Sequence, residues 1–151
     1  MIDSMLRLLF FIVFSLFLFG APNEAEAQCI SFAKSVCKSK LGSFVHDGNY
    51  NAVNMSEGES AELIKTFFSG QRYRIVFCKV DQLPKIRFWV TDSKGRVLFD
   101  NSTQNYTDTW DFESEKTQML SVNFMVMEHA SSKSNSIVSG CVAVLFGIED
   151  N

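Results

Sequence analysis

The chain has 151 residues, 46% of them hydrophobic and 21% charged, with 14 basic and 17 acidic side chains for a net charge of −3. That is the composition of one ordinary globular domain. It excludes a disordered chain, a collagen-like repeat and a polytopic membrane protein.

Residues 1–27 read as a secretory signal. Arg7 precedes an apolar run from Leu8 to Phe19, 12 residues long. This length suits a signal core and falls short of the roughly 20 residues a spanning helix needs. Gly20 and Pro22 end the run, and Ala25-Glu26-Ala27 puts small residues at the −3 and −1 positions, so a cut is expected after Ala27. Asp3 is an acid where a positive region is expected. A retained anchor would want a longer apolar run, and lipidation of Cys29 would want a small residue in place of Gln28. The expected folded domain is therefore 28–151, in the periplasm, at the cell surface or secreted, with no membrane span once the signal is gone.

Removing Arg7, Asp3, Glu24 and Glu26 with the signal leaves 13 basic and 14 acidic residues, a net of −1. A nearly neutral domain without a basic run has no electrostatic footprint for nucleic acid, nor for an anionic membrane surface.

The first element of the expected domain is a helix over about 30–44. Apolar groups at 30, 33, 37, 41 and 44 share one side, Lys34, Lys38 and Lys40 take the other, and Gly42 is placed to end it. Residues 46–51 are turn-rich. From there the period changes to two. Strands are expected over 59–68, 72–80, 85–91, 96–100, 109–114, 116–128 and 137–148, separated by short turns. In 72–80, Tyr73, Ile75 and Phe77 share one face while Val76, Cys78 and Val80 share the other. A strand apolar on both faces is covered on both, and the helix is the natural cover. In 85–91, Ile86, Phe88 and Val90 alternate with Arg87, Trp89 and Thr91. Gly95 closes a hairpin turn at a position suited to positive φ. Trp110 and Phe112 point the same way, and 137–148 is apolar enough to be central. Seven strands and one helix read as an antiparallel β-sandwich with an N-terminal α-helix packed on it.

All four cysteines, Cys29, Cys37, Cys78 and Cys141, lie past the signal. An even count in an exported chain predicts two disulfides. Within a helix Cys29 and Cys37 would stand roughly 12 Å apart along the axis, beyond the roughly 7 Å a disulfide spans. Bridges from the N-terminal segment to Cys78 and Cys141 are favoured. If the arm before the helix folds back, the pairs become Cys29–Cys37 and Cys78–Cys141. The spacing fits no structural zinc site, and a nucleophilic Cys would need His46 or His129 without any supporting motif.

The runs EGESAELIKTFFSGQRYRIVFC, IRFWVTDSKGRVLFDN, TWDF and SGCVAVLFGI resemble small exported proteins of Bacteroidetes-type bacteria. Their succession also resembles GOLD-type and bacterial pre-peptidase C-terminal domains, in the order Gly58-Glu59, Gly70-Gln71-Arg72-Tyr73 and Asp92-Ser93-Lys94-Gly95. The helix and the four cysteines stand outside that pattern. The resemblance implies a non-catalytic binding or accessory role and supplies no active site.

No nucleophile elbow, phosphate loop, dinucleotide fingerprint or HExxH is present, and no cofactor is implied. Ser139 precedes Gly140-Cys141 in an apolar strand and reads as structural. His46-Asp47 offers an imidazole beside a carboxylate, but inside a turn. Asp100, Asn101, Asp108 and Asp111 offer oxygen ligands without the spacing of a calcium loop. Asn54, Asn101 and Asn105 begin glycosylation sequons, which carry no meaning in a bacterium. Trp89 beside Arg87 can anchor a partner or stack on a sugar, unless the helix covers it. Met125 and Met127 lie off the main strand face, as a second patch or beneath the helix. Tyr50 and Tyr106 sit in the loops 46–51 and 101–108. The ligand surface expected from sequence is therefore Trp89, Arg87, Tyr106 and Tyr50. The function expected is a non-enzymatic module that binds a protein or glycan at the cell envelope. The alternative is a structural or accessory envelope protein without a small ligand, and a hydrolase ranks behind both.

Overall fold

The computed structural model describes residues 24–128 and 137–150. Residues 1–23, which hold the apolar run Leu8 to Phe19, and residues 129–136, which include His129, lie outside the described residues.

Helix α1 (Glu24–Phe32) continues through a π-helical turn (Ala33–Cys37) and a 3₁₀ turn (Lys38–Leu41), and Gly42 ends the run at φ +61°. The helical segment therefore starts earlier than the spacing predicts, inside the residues assigned to the signal. A cut after Ala27 would remove its first turn.

Among the described residues nine strands follow: β1 (Phe44–His46), β2 (Asn51–Ser56), β3 (Ser60–Phe67), β4 (Gln71–Lys79), β5 (Ile86–Asp92), β6 (Val97–Asp100), β7 (Thr109–Ser114), β8 (Gln118–Val126) and β9 (Ser139–Glu149). Every pairing is antiparallel. One sheet runs β1–β9–β4–β7, with β2 sharing the β1 side of β9; the other runs β3–β8–β5–β6. The sandwich is as expected, with two strands more than the sequence showed. β1 and β2 are absent from the sequence reading because neither Phe-Val-His nor Asn-Ala-Val-Asn-Met-Ser alternates strongly. They exist because β4 takes only one edge of β9, and the other edge pairs with His46 through Gly147 and with Asn51 through Val144.

Two apolar layers result. Between the sheets pack Phe67, Tyr73, Ile75, Phe77, Phe88, Val90, Val122, Phe124, Val144 and Phe146, each full burial of such a side chain being worth about 1.5–3 kcal/mol. On the outer face of β4 and β9, Val76, Cys78, Ala143 and Leu145 meet Ala33, Cys37 and Leu41 of the helical segment. The helix is the cover that two-faced β4 demanded. Small residues on both sides allow close approach, and two disulfides pin it. Cys29 joins Cys141 with Cα atoms 5.1 Å apart, and Cys37 joins Cys78 at 5.8 Å. Both bridges run from the N-terminal segment to a strand, as helical spacing favours; which of the two cysteines meets which strand is decided by the fold.

The two open sides of the sandwich close differently. At the β6–β7 side, Phe99, Trp110 and Phe112 stack face to face, with centroids 4.9 and 4.2 Å apart. Their faces are occupied by one another, so the column seals an edge and offers no ring face to a sugar. At the β2–β3 side, Lys65 points inward from β3 and crosses to the other sheet. Its ammonium lies 2.6 Å from Asp47 Oδ2 and 4.8 Å from the Phe146 ring centroid.

Candidate functional site

β6 ends at Asp100, one residue too early to pair the start of β5. Asn101, 1% exposed, finishes the job with its side chain. Its Oδ1 accepts from Phe88 N at 2.9 Å and its Nδ2 donates to Ile86 O at 3.0 Å. The carboxamide thus stands in for one more peptide unit along the β5 edge. Nδ2 also donates to Thr107 O at 3.0 Å, and Asn101 O accepts from Gln104 N and Tyr106 N, both at 2.9 Å. One buried residue therefore ties loop 101–107 to the sheet and closes it on itself. Within the loop Asn105 and Tyr106 adopt φ +53° and +56°. Asn tolerates this region; a Tyr there is held against its preference by the surrounding bonds.

The ordered loop forms one wall of a cleft of about 420 Å³ where β4 ends and β5 begins. Phe77 and Ile86 line its apolar part, while Lys79, Asp81, Lys85 and Tyr106 bring polar groups to it, and Lys40 enters from the helical segment. Lys40 bonds Asp108 Oδ2 at 2.6 Å. Burial alone would raise the Asp108 carboxyl, but the Lys40 hydrogen bond and charge and the Thr109 hydroxyl hold it below its ordinary value. Lys79 and Lys85 have no carboxylate partner among the described residues. The Lys85 ammonium lies 5.0 Å from the centroid of the Tyr106 ring.

The structure brings three of the four sequence-predicted surface residues into one strip. Arg87 sits 5.1 Å from the Trp89 ring centroid and bonds Asp100 through Nη2 at 2.6 Å. That hydrogen bond raises Arg87, and nearby Tyr106 adds to the shift. The same bond, with help from Ser102 against the opposing effect of burial, lowers Asp100 to about 2. Trp89 is half-buried on the outer face of its sheet. The helix packs on the other sheet, so it covers neither Trp89 nor Met125. Tyr50 lies apart, on the β2–β3 side. Its ring is 4.4 Å from His46 and it sits beneath Lys34; it lines a slit with Ala52, Ala61 and Leu63 and none of the cleft residues.

The remaining candidates have structural roles. His46 Nε2 lies 3.1 Å from Asn49 O, and Asp47 is held by Lys65 and Asn49 N, so this imidazole and carboxylate fix the β1–β2 turn. Asp111 bonds Arg74 through both oxygens, at 2.7 and 2.6 Å. With Asp108 on Lys40 and Asp100 on Arg87, the four oxygen donors considered for calcium do not converge, and no cluster of three metal-ligating side chains occurs among the described residues. Asn101, as a sequon residue, is buried. Ser139 shares a hydrogen bond with Ser56 at 2.9 Å. The cleft itself is not visible in the sequence reading; the signal for it was Asn101, which follows a short strand and precedes a polar loop.

No family model matches the chain, and no curated protein does. Among solved structures the chain is similar to PliG of Aeromonas hydrophila, a periplasmic inhibitor of g-type lysozyme. The match has a TM-score of 0.47 at 8% identity and covers 66% of this chain and 84% of that one. No residue role is carried over from it.

Proposed function

We propose that this protein is an exported, non-enzymatic binding module whose protein or glycan ligand is met by the cleft beside loop 101–108 and the adjoining Arg87–Trp89 strip. The observation that carries this reading is the preformed cleft. Its wall is fixed by buried Asn101, its one bulky left-handed residue, Tyr106, is held in place, and two lysines at it lack acidic partners. Strain kept at a rigid, partly polar cleft is characteristic of ligand sites, because a preorganised wall loses little entropy on binding. The signal-like residues 1–27 and the two disulfides support export to an oxidising compartment. The resemblance to GOLD-type and pre-peptidase C-terminal domains supports a non-catalytic role, as does the engagement of His46 and Asp47 within their own turn.

The test is thermal unfolding of the oxidised protein against panels of envelope glycans and proteins, with Tyr106→Ala alongside. A ligand at 100 times its Kd stabilises the folded state by about 2.7 kcal/mol, and Tyr106→Ala is expected to abolish most of that shift. If no panel member raises the Tm, the structural or accessory reading replaces this one.

A further inference from the structure

Resting on that reading of the cleft, we infer that the group it takes is a single sugar ring carrying a carboxylate. Three features of the cleft converge on this chemistry. First, it carries surplus positive charge. Lys40 is neutralised by Asp108, while Lys79 and Lys85 face Asp81 as the only remaining acid among the lining residues. Ammonium groups are compact point charges, suited to a lone anion, and Lys85 is steered over the cleft by the Tyr106 ring. Second, Asp81 has no cation partner among the described residues and sits at the same cleft as a pure acceptor. It would repel a bare anion but accepts hydrogen bonds from hydroxyls, so the ligand must carry both. Third, Tyr106 brings an amphipathic ring to the cleft wall, over a floor that buried Phe77 and Ile86 reach only at their edges. A phosphate ion would leave that ring wetted. About 420 Å³ lies at the small end of ligand cavities and suits one ring rather than an oligomer. A carboxylated sugar supplies the anion, the hydroxyls and the apolar ring face together.

The test is an amide-shift titration of the purified, oxidised protein with sodium glucuronate, glucose, inorganic phosphate and an N-acetylated Asp-Glu dipeptide. Glucuronate is expected to move the amides of Lys79, Lys85, Tyr106 and Thr107 with a Kd about tenfold or more below those of the other three, and to weaken as salt rises. Lys79→Gln with Lys85→Gln is expected to raise that Kd about tenfold. Lys116→Gln, in the β7–β8 turn at the far end of β7, should leave it unchanged. Equal binding of phosphate would mean the cleft reads charge alone and would overturn the inference. Equal binding of glucose would remove the role of the lysines. Tighter binding of the dipeptide would point to an acidic protein surface instead. Shifts confined to the face around Trp89, or none with any probe, would also overturn it. If a panel ligand raises the Tm but leaves these amides unmoved, the inference fails while the binding-module reading stands.

Discussion

Asn101→Ala removes three hydrogen bonds from a residue that is 1% exposed. Phe88 N–H loses its acceptor, and Ile86 O and Thr107 O lose a donor. Each such bond contributes about 1 kcal/mol net, and a buried group left without a partner costs about 1–3 kcal/mol. The bonds to Phe88 N and Ile86 O are buried, while that to Thr107 O is only partly so and its carbonyl can be hydrated. The expected loss is about 3 kcal/mol, most of it from Phe88 N and Ile86 O. Asn101→Asp keeps the shape and Oδ1 but turns a second oxygen toward both carbonyls, so it should be destabilised by at least as much near neutral pH. The assay is urea unfolding of the oxidised variants, with stability read from the midpoint at constant m, beside amide spectra of Tyr106 and Thr107. A loss under about 1 kcal/mol for Asn101→Ala, an Asp variant as stable as the parent, or unchanged loop amides would refute the view that this side chain completes the β5 edge and orders the loop.

Three further outcomes are expected. In the chain-entropy picture the 112-residue separation of Cys29 and Cys141 makes that bridge worth about 5 kcal/mol against about 4 kcal/mol for the 41-residue separation of Cys37 and Cys78; paired Cys→Ser variants should therefore rank in that order in denaturant, and the reverse order would contradict it. Asp100 is lowered from 3.8 to about 2 in the folded state, so its contribution is complete above pH 3.8 and is lost as pH falls toward 2; Asp100→Asn should unfold with a shallower acid dependence across that window, and an unchanged slope would show that the Arg87 pair is too solvated to matter. Lys65→Met leaves the Asp47 side chain, 7% exposed, without its cation and should cost about 3 kcal/mol, whereas Lys65→Met with Asp47→Asn should recover much of that in chemical denaturation; additivity of the two would disprove the coupling.

Period-two alternation made β3 to β9 legible, and Gly95 announced its turn, adopting φ +76°. The two-faced apolar character of 72–80 foretold the covering helix, and helical spacing argued against a Cys29–Cys37 bridge but left open which of them meets Cys78 and which Cys141. Export rested on residues 1–27 alone. β1 and β2 were not legible, because their pairing is dictated by the edge of β9 that β4 leaves open rather than by their own residues. The cleft was hidden for the same physical reason. Lys79 at the end of β4, Lys85 before β5 and loop 101–107 with Asn101 and Tyr106 are three stretches of chain that meet only when β4 and β5 are stacked in opposite sheets. Local residue patterns determine which face of a strand is apolar and where the chain can turn. Which sheet the helix covers, which side chain completes an unfinished edge, and which charges are left unpaired depend on long-range packing, so only the tertiary structure decided that Trp89 is uncovered, that Tyr50 stands apart and that loop 101–107 walls a cleft.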